Sequence, residues 1–314
     1  MKKSQMVYAG KKMPFRKKIY RWRYLYLLLL PACIYMLIFE YLPMPGIIIA
    51  FQDYDYFKGF AGSEFVGLDN FKFIFQSDKF LLAIKNTLVF GACSLTLGMV
   101  CPMGLALLFN EIRGARFKKI VQTISYLPHF ISWASITALV YAMFGTYGTY
   151  NDIMAKIFGS DYIRTNPLIN ADNFMGFALG TNVYKTLGWA TVIYMAAIAG
   201  IDSSLYEAAE IDGASRWQKM WNITLPGISQ TAVMILIMSI GSLFGANFEL
   251  IYGLQNVFTQ DSTEVIGTLV YRTGLINGNY SLAIAFSLFQ GVVHLMLVLT
   301  ANKISRKVAN LSIW

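Results

Sequence analysis

Glu207-Ala208-Ala209-Glu210-Ile211-Asp212-Gly213-Ala214-Ser215-Arg216-Trp217-Gln218-Lys219-Met220-Trp221-Asn222-Ile223-Thr224-Leu225-Pro226 is the stretch on which the reading of this chain turns. It is polar, it lies between two strongly apolar segments, and its chemistry predicts two short helices around a glycine. Ser204-Leu205-Tyr206-Glu207 fits S-x-x-E and Ser215-Arg216-Trp217-Gln218 fits S-x-x-Q. In such capping boxes, side chains satisfy the orphan N–H groups of a helix start. Two starts about 11 residues apart mean helix, turn, helix. Gly213 falls where the first helix stops, a position that favours positive φ. Pro226 predicts an interruption before the next element. Trp217, Met220 and Trp221 fall at i, i+3 and i+4 on one face, with Arg216 and Lys219 off it. An apolar face exposed between two membrane spans needs a partner.

The flanks identify the setting. Of the 314 residues, 56% are hydrophobic and 14% charged, and the mean hydropathy is +0.50. Soluble chains run about 45–50% apolar and about 25% charged. Apolar runs of about 20 residues predict an all-α integral membrane protein. Six spans follow, at about Tyr24–Tyr41, Asn86–Phe109, Thr123–Phe144, Phe174–Ala199, Ala232–Leu254 and Tyr280–Ala301. Residues 1–23 form a basic segment with Lys2, Lys3, Lys11, Lys12, Arg16, Lys17, Lys18, Arg21 and Arg23. A cleaved signal peptide is the competing reading. No small-x-small site follows the first apolar run, which ends in Phe39-Glu40-Tyr41-Leu42-Pro43, so a retained first span is expected. One membrane domain over residues 24–314 is the simplest organisation, with the polar loop at about 201–231.

Charge fixes the orientation. With the N-terminus in the cytoplasm, six spans place residues 1–23, Arg113, Arg116, Lys118, Lys119, Arg216, Lys219, Lys303, Arg306 and Lys307 inside. These are most of the 26 Lys and Arg, so both termini are expected to be cytoplasmic. The net charge of +9 is then a topology signal and an attraction to anionic lipid, not a nucleic-acid footprint. Cys33, Cys93 and Cys101 all lie in apolar runs with no C-x-x-C, so neither a disulfide nor a metal site is implied. No G-x-x-x-x-G-K-[ST] loop is present, so no ATPase resides in this chain.

The 207–226 stretch resembles the EAA loop of ABC importer permeases: E-A-A, three residues, G, nine residues, I-x-L-P. Glu207-Ala208-Ala209, Asp212-Gly213 and Ile223-Thr224-Leu225-Pro226 carry the match. Phe65-Val66-Gly67-Leu68-Asp69-Asn70-Phe71, followed by Lys85-Asn86-Thr87-Leu88, is similar to a segment of the sugar permeases of that group. Three further passages resemble the LplB-like oligosaccharide and polysaccharide permeases. They are Ile47-Ile48-Ile49-Ala50-Phe51-Gln52-Asp53-Tyr54, Val270-Tyr271-Arg272-Thr273-Gly274-Leu275, and the tail Ala301-Asn302-Lys303-Ile304-Ser305-Arg306-Lys307. The resemblance implies a type I ABC importer permease fold in a bacterial cytoplasmic membrane. It implies a second homologous permease, two ATPase subunits holding ATP and Mg, an extracellular solute-binding protein and an oligosaccharide substrate. No cofactor is implied for this chain itself. The coupling residues would be Glu207, Ala208, Ala209, Asp212, Gly213, Trp217, Trp221, Leu225 and Pro226.

Polar and aromatic groups within spans are the candidates for a substrate path. Tyr184, Lys185, Asn247, Glu249, Tyr252 and Gln290 are the main ones, with Trp189, Phe248, Gln255, Asn256 and His294 nearby. Sugars bind through apolar faces on rings and a few placed hydrogen bonds. The plainer readings are a Lys185–Glu249 pair between helices, a Lys185 that snorkels outward, and Gln290 and His294 joining helices. His129, after Pro128, reads as a packing residue. A permease for a non-sugar solute is the nearest alternative function. A secondary transporter would be expected to show internal repeats and broken helices around mid-membrane charges. A membrane enzyme would need paired carboxylates or a His cluster, and none is apparent.

Overall fold

A computed structural model describes residues 20–245 and 247–308, which are mostly helical. The basic residues before Tyr20 and the chain after Val308 lie outside the described residues. Two compact units are distinguished, Met1–Ile49 and Ala50–Trp314. In the first, helix α1 (Arg23–Met36) continues into a π turn (Leu37–Tyr41).

The second unit is built along one long helix. It opens on a two-residue hairpin, β1 (Gln52–Asp53) against β2 (Glu64–Phe65), then α2 (Asp69–Gln76) and α3 (Asp78–Glu111). At 1.5 Å per residue, α3 is about 50 Å long. Three cores line up along it. Phe80 and Ala83 join Ile74, Ile266, Leu269 and Phe286 at its start. Phe90 meets Phe174, Leu250 and Ile251 further on, and Ala106 meets Tyr194, Ile198 and Ile228 towards its end. The polar segment before α3 is itself structured. Gly67 has φ +60, and the Asn70 amide donates to Ala50 O (3.0 Å) and Gln52 O (2.9 Å), which explains both the glycine and the asparagine of the F-V-G-L-D-N-F phrase.

The next elements are α4 (Ala115–Tyr126), α5 (Trp133–Phe144), α6 (Thr149–Phe158) and α7 (Ala171–Ala199). Then come α8 (Ser203–Ile211), α9 (Arg216–Lys219), α10 (Leu225–Ile240), α11 (Phe248–Leu254), α12 (Ile266–Tyr271) and α13 (Tyr280–Val308). Four described helices are long and apolar enough to cross a membrane: Arg23–Phe51, Asp78–Glu111, Arg216–Ile240 and Tyr280–Lys303. Two bent pairs bring the number to six if each pair is one span.

Several expectations need correction. The third span is not continuous over Thr123–Phe144: Ala115–Phe130 and Trp133–Phe158 meet at 104°. Pro128 has no N–H to continue the α ladder, so a 3-10 turn (Leu127–Phe130) forms, and Ser132 recaps the chain by accepting from Ser135 N (3.1 Å). The fifth span does not run through Ala232–Leu254. It begins at Arg216 within the 207–226 stretch, passes Ile240 into a 3-10 turn (Gly241–Phe244), and the chain restarts as α11, capped by Asn247 on Leu250 N (3.2 Å). Pro226 does not interrupt the helix before it. A π turn over Met220–Thr224 carries α9 into α10, and Leu225 N donates to Met220 O. A widened turn is one way to relieve the clash of a proline ring with the carbonyl four residues back. Between the fifth and sixth expected spans, at about 255–279, lies α12, with Ile266, Thr268 and Leu269 buried.

Candidate functional site

The 203–226 stretch is two helices clasped at a glycine. Helix α8 is capped by Asp202, whose carboxylate accepts Ser204 N at 3.0 Å. The expected Ser204–Glu207 capping box is thus not the one used: Asp202 lies two residues earlier and takes the orphan N–H first. That contact holds the exposed Asp202 carboxyl below the usual carboxylate range. Helix α8 ends in a Schellman motif, with Gly213 at φ +74, Gly213 N donating to Glu210 O (3.1 Å) and Ala214 N to Ala209 O (2.8 Å). The second box is present: Ser215 N donates to Gln218 Oε1 (2.7 Å), and Gln218 N to Ser215 Oγ (3.3 Å). Tyr206 and Thr224 hydroxyls meet at 2.9 Å, and Lys219 reaches Glu210 at 3.3 Å, so the two helices are joined across the turn.

The outward face is apolar. Trp217 is 66% and Trp221 53% exposed, with ring centroids 5.7 Å apart and edge-to-face. Glu207, Ala208, Asp212, Gly213 and Pro226 are exposed too, whereas Ala209 is half-buried and Leu225 packs on the core around Tyr194 and Ile228.

A polar cavity of about 290 Å³ lies between α3, α7 and α10. Ser94, Asn182, Thr186, Ser239 and Asn247 supply its polar lining. The Ser94 hydroxyl is buried and makes no hydrogen bond among the described residues. Of the path candidates, Asn247 alone lines this space. Sequence reasoning does not single out Ser94, Asn182 or Thr186. The available signal is an amide and a hydroxyl at i, i+4 inside an apolar span, obscured by the louder Lys185 beside them.

The other candidates are dispersed. Lys185 is buried and donates to His129 O (2.8 Å) and to Ile131 O, with its ammonium 5.0 Å from the Trp133 ring centre. It clasps both sides of the α4–α5 break, and neither pairs with Glu249 nor snorkels. Gln290 donates to Phe244 O (2.6 Å) and pins the break after α10. Tyr184 lines a separate, mainly apolar cavity of about 860 Å³ with Val140, Phe144 and Phe177. Glu249 and His294 are exposed. Tyr252 stacks on Phe248 (5.3 Å) and meets Tyr271 (5.1 Å), and the Arg272 guanidinium lies 5.4 Å from its ring centre. Gln255 and Asn256 support the backbone, donating to Thr263 O (3.1 Å) and Leu168 O (2.8 Å). His129 stacks on Trp189 at 4.9 Å. Arg272 also pairs with buried Glu264 at 2.7 Å. Burial pushes the Glu264 carboxyl up, against the pull of the Thr268 hydroxyl and Arg272. Among the described residues, no group of three or more His, Cys, Asp or Glu is placed to hold a metal ion.

Comparison with known proteins agrees with this geometry. Residues 94–306 match the family model described as the binding-protein-dependent transport system inner membrane component. The chain is 43% identical over 290 residues to the polygalacturonan/rhamnogalacturonan transport system permease YteP of Bacillus subtilis, covering 92% of this chain and 90% of that one. It is 38% identical over 300 residues to protein LplB of the same organism, covering 95% and 93%. A bacterial alginate ABC transporter, solved in complex with an alginate pentasaccharide-bound periplasmic protein, has a chain that superposes with TM-score 0.86 at 37% identity. The match covers 95% of this chain and 99% of that one. With its long apolar helices and a family match over most of its length, the chain belongs to the binding-protein-dependent inner membrane components and has the type I ABC permease fold.

Proposed function

We propose that this chain is one of two membrane subunits of an ATP-driven oligosaccharide importer in a bacterial plasma membrane. The observation that carries the reading is the helix-turn-helix at 203–224, clasped by its own hydrogen bonds, with an exposed Trp217/Trp221 face. Six spans with both termini in the cytoplasm put that face where an ATPase subunit reaches it. A second permease would complete the path, and two ATPase subunits would bind ATP and Mg. A solute-binding protein would deliver substrate from outside, as the complex of the alginate transporter supports. ATP-driven closure would then push α8 and α9 as one body, and the continuous helix from Arg216 to Ile240 would carry the displacement into the membrane.

The polar cavity is the proposed substrate path. Asn247, Asn182, Thr186 and Ser94 offer the few hydrogen bonds a sugar needs, and Tyr252, Tyr184 and Glu249 remain path candidates away from it. Lys185 and Gln290 serve the path by fixing the two helix breaks beside it. Relatives named for polygalacturonan and alginate make oligosaccharides of uronic acids the first substrates to try.

The test is ATP hydrolysis by the reconstituted complex with its binding protein and a panel of oligosaccharides. Stimulation by one sugar class supports the reading, and hydrolysis indifferent to every sugar removes the carbohydrate part. Gly213→Pro cannot adopt φ +74 and loses the bond to Glu210 O, so hydrolysis should continue while uptake falls. Normal uptake by this variant would remove the coupling role.

A further inference from the structure

One cleft has no part in that path. A cavity of about 230 Å³ lies between the end of α3 and the coupling stretch, with Asn110, Glu111 and Arg113 on one side and Tyr206, Arg216 and Lys219 on the other. Three cations line it, and Glu111 is the one carboxylate among its lining residues. Arg216 Nη1 is 3.9 Å from Glu111 Oε2, well beyond the roughly 2.7–2.9 Å of a charge-assisted hydrogen bond. Lys219 has its Glu210 partner at 3.3 Å, and its side chain is only 19% exposed. Arg113 makes no ion pair or side-chain hydrogen bond among the described residues. Positive charge is therefore gathered from two segments about 100 residues apart in sequence and left under-compensated.

Its surroundings point to the chemistry. Two residues after Arg113 begins α4, on which Phe117, Ile120 and Ile124 are exposed at helical spacing. Arg116 and Lys119 are exposed among them. Exposed apolar side chains flanked by cations are the pattern of a helix at an anionic bilayer surface. A concave site this small admits a tetrahedral anion, and guanidinium and ammonium groups match phosphate oxygens.

We infer that this cleft binds a phosphoryl anion, and that the headgroup of an anionic phospholipid is its occupant. A bound headgroup would bridge the α3–α4 turn and the coupling stretch, so lipid charge would bear on coupling. Placement in the inner leaflet rests on the topology proposed above. The binding itself does not.

The experiment uses the complete complex in nanodiscs of phosphatidylcholine, alone or mixed with phosphatidylglycerol. Native mass spectrometry counts retained phosphatidylglycerol, and hydrogen exchange over residues 206–220 reports protection. Arg113→Gln should weaken phosphatidylglycerol retention by about tenfold, the scale of one lost charge-assisted contact. Arg113→Lys should keep most of it, and Arg116→Gln, which removes the same charge outside the cleft, should change it little. Inorganic phosphate titrated into phosphatidylcholine discs separates the sources. Protection by phosphate with none by phosphatidylglycerol would assign a soluble anion and overturn the lipid occupant. Equal binding by wild type and Arg113→Gln would overturn the site. So would loss of the ATPase subunit from Arg113→Gln with lipid retention intact, because the cations would then face an acidic protein surface. Sugar-stimulated hydrolysis, measured in parallel, shows separately whether the importer reading holds.

Discussion

The helix-turn-helix at 203–224 and the broken span at residues 127–132 are both held by hydrogen bonds, but those bonds reach very different distances along the chain. In the stretch, Asp202 caps Ser204, Ser215 pairs with Gln218, Lys219 reaches back to Glu210 and Tyr206 meets Thr224, with no bond spanning more than 18 residues. At the break, the decisive donor is Lys185, which is 56 and 54 residues from the carbonyls it holds. The fifth-span break repeats this, with Gln290 holding Phe244 O from 46 residues away. A region assembled by local bonds carries its instructions in its own letters. A region assembled by distant ones shows only an odd polar residue in an apolar run.

The strongest way to break the comparison is at Gly188, which supports the distant region. A Cβ there would land on the carbonyl oxygen of Ser125 in α4, a backbone atom that cannot rotate away. Gly188→Val should cost more than about 4 kcal/mol, in the range of severe overpacking. The readout is the yield of monodisperse protein in detergent. Gly176→Ala on the same helix meets nothing within 4 Å and should be near wild type. Equal yields would mean that α4 and α7 do not approach as closely as described.

The next largest effect is expected at Lys185. Lys185→Met keeps the length of the side chain and removes the ammonium, leaving two carbonyls at the break without their donor. A loss of about 3 kcal/mol is expected, the scale of breaking a buried charged contact. Thermal stability should fall, and the substrate specificity of whatever uptake remains should not change. A variant that is fully stable but has lost uptake would return Lys185 to the substrate path.

This contrast also sets what is legible in the sequence. The helical membrane class, the Gly213 turn, the Ser215 cap and the Trp217/Trp221 face can all be read, because periodicity and capping act over one or two turns. The breaks at Ile131 and after Phe244 cannot, although Pro128 stands at the first. A proline in an apolar run is compatible with a kinked continuous helix, and the Lys185 clasp joins Pro128 and the Ser132 cap in making it a break. The polar cavity is half visible. Asn247 stands out for its place in an apolar run, but Ser94, Asn182 and Thr186 become a lining only when α3, α7 and α10 are brought together. Charge draws attention to Lys185, and packing reassigns it.

The smallest effect tests the local region, where two readings of one helix start compete. If Ser204 and Glu207 formed the capping box, Ser204→Ala would open the first turn of α8. With Asp202 as the cap, Asp202→Ala should speed amide exchange over residues 203–207 in the assembled complex, and Ser204→Ala should leave it unchanged. The sign of the pH dependence is fixed by the same contact. The folded carboxyl of Asp202 is held below its ordinary value of 3.8 by the Ser204 N–H. Its capping contribution is thus fully present above that value and is lost as pH falls through the lower, folded one. Asp202→Asn keeps an acceptor without a titrating group, so protection of its α8 should not fall in the same acid range. If wild type and Asp202→Asn lose protection together on acidification, the opening of α8 has another cause, and local capping does not govern the first helix of the coupling stretch.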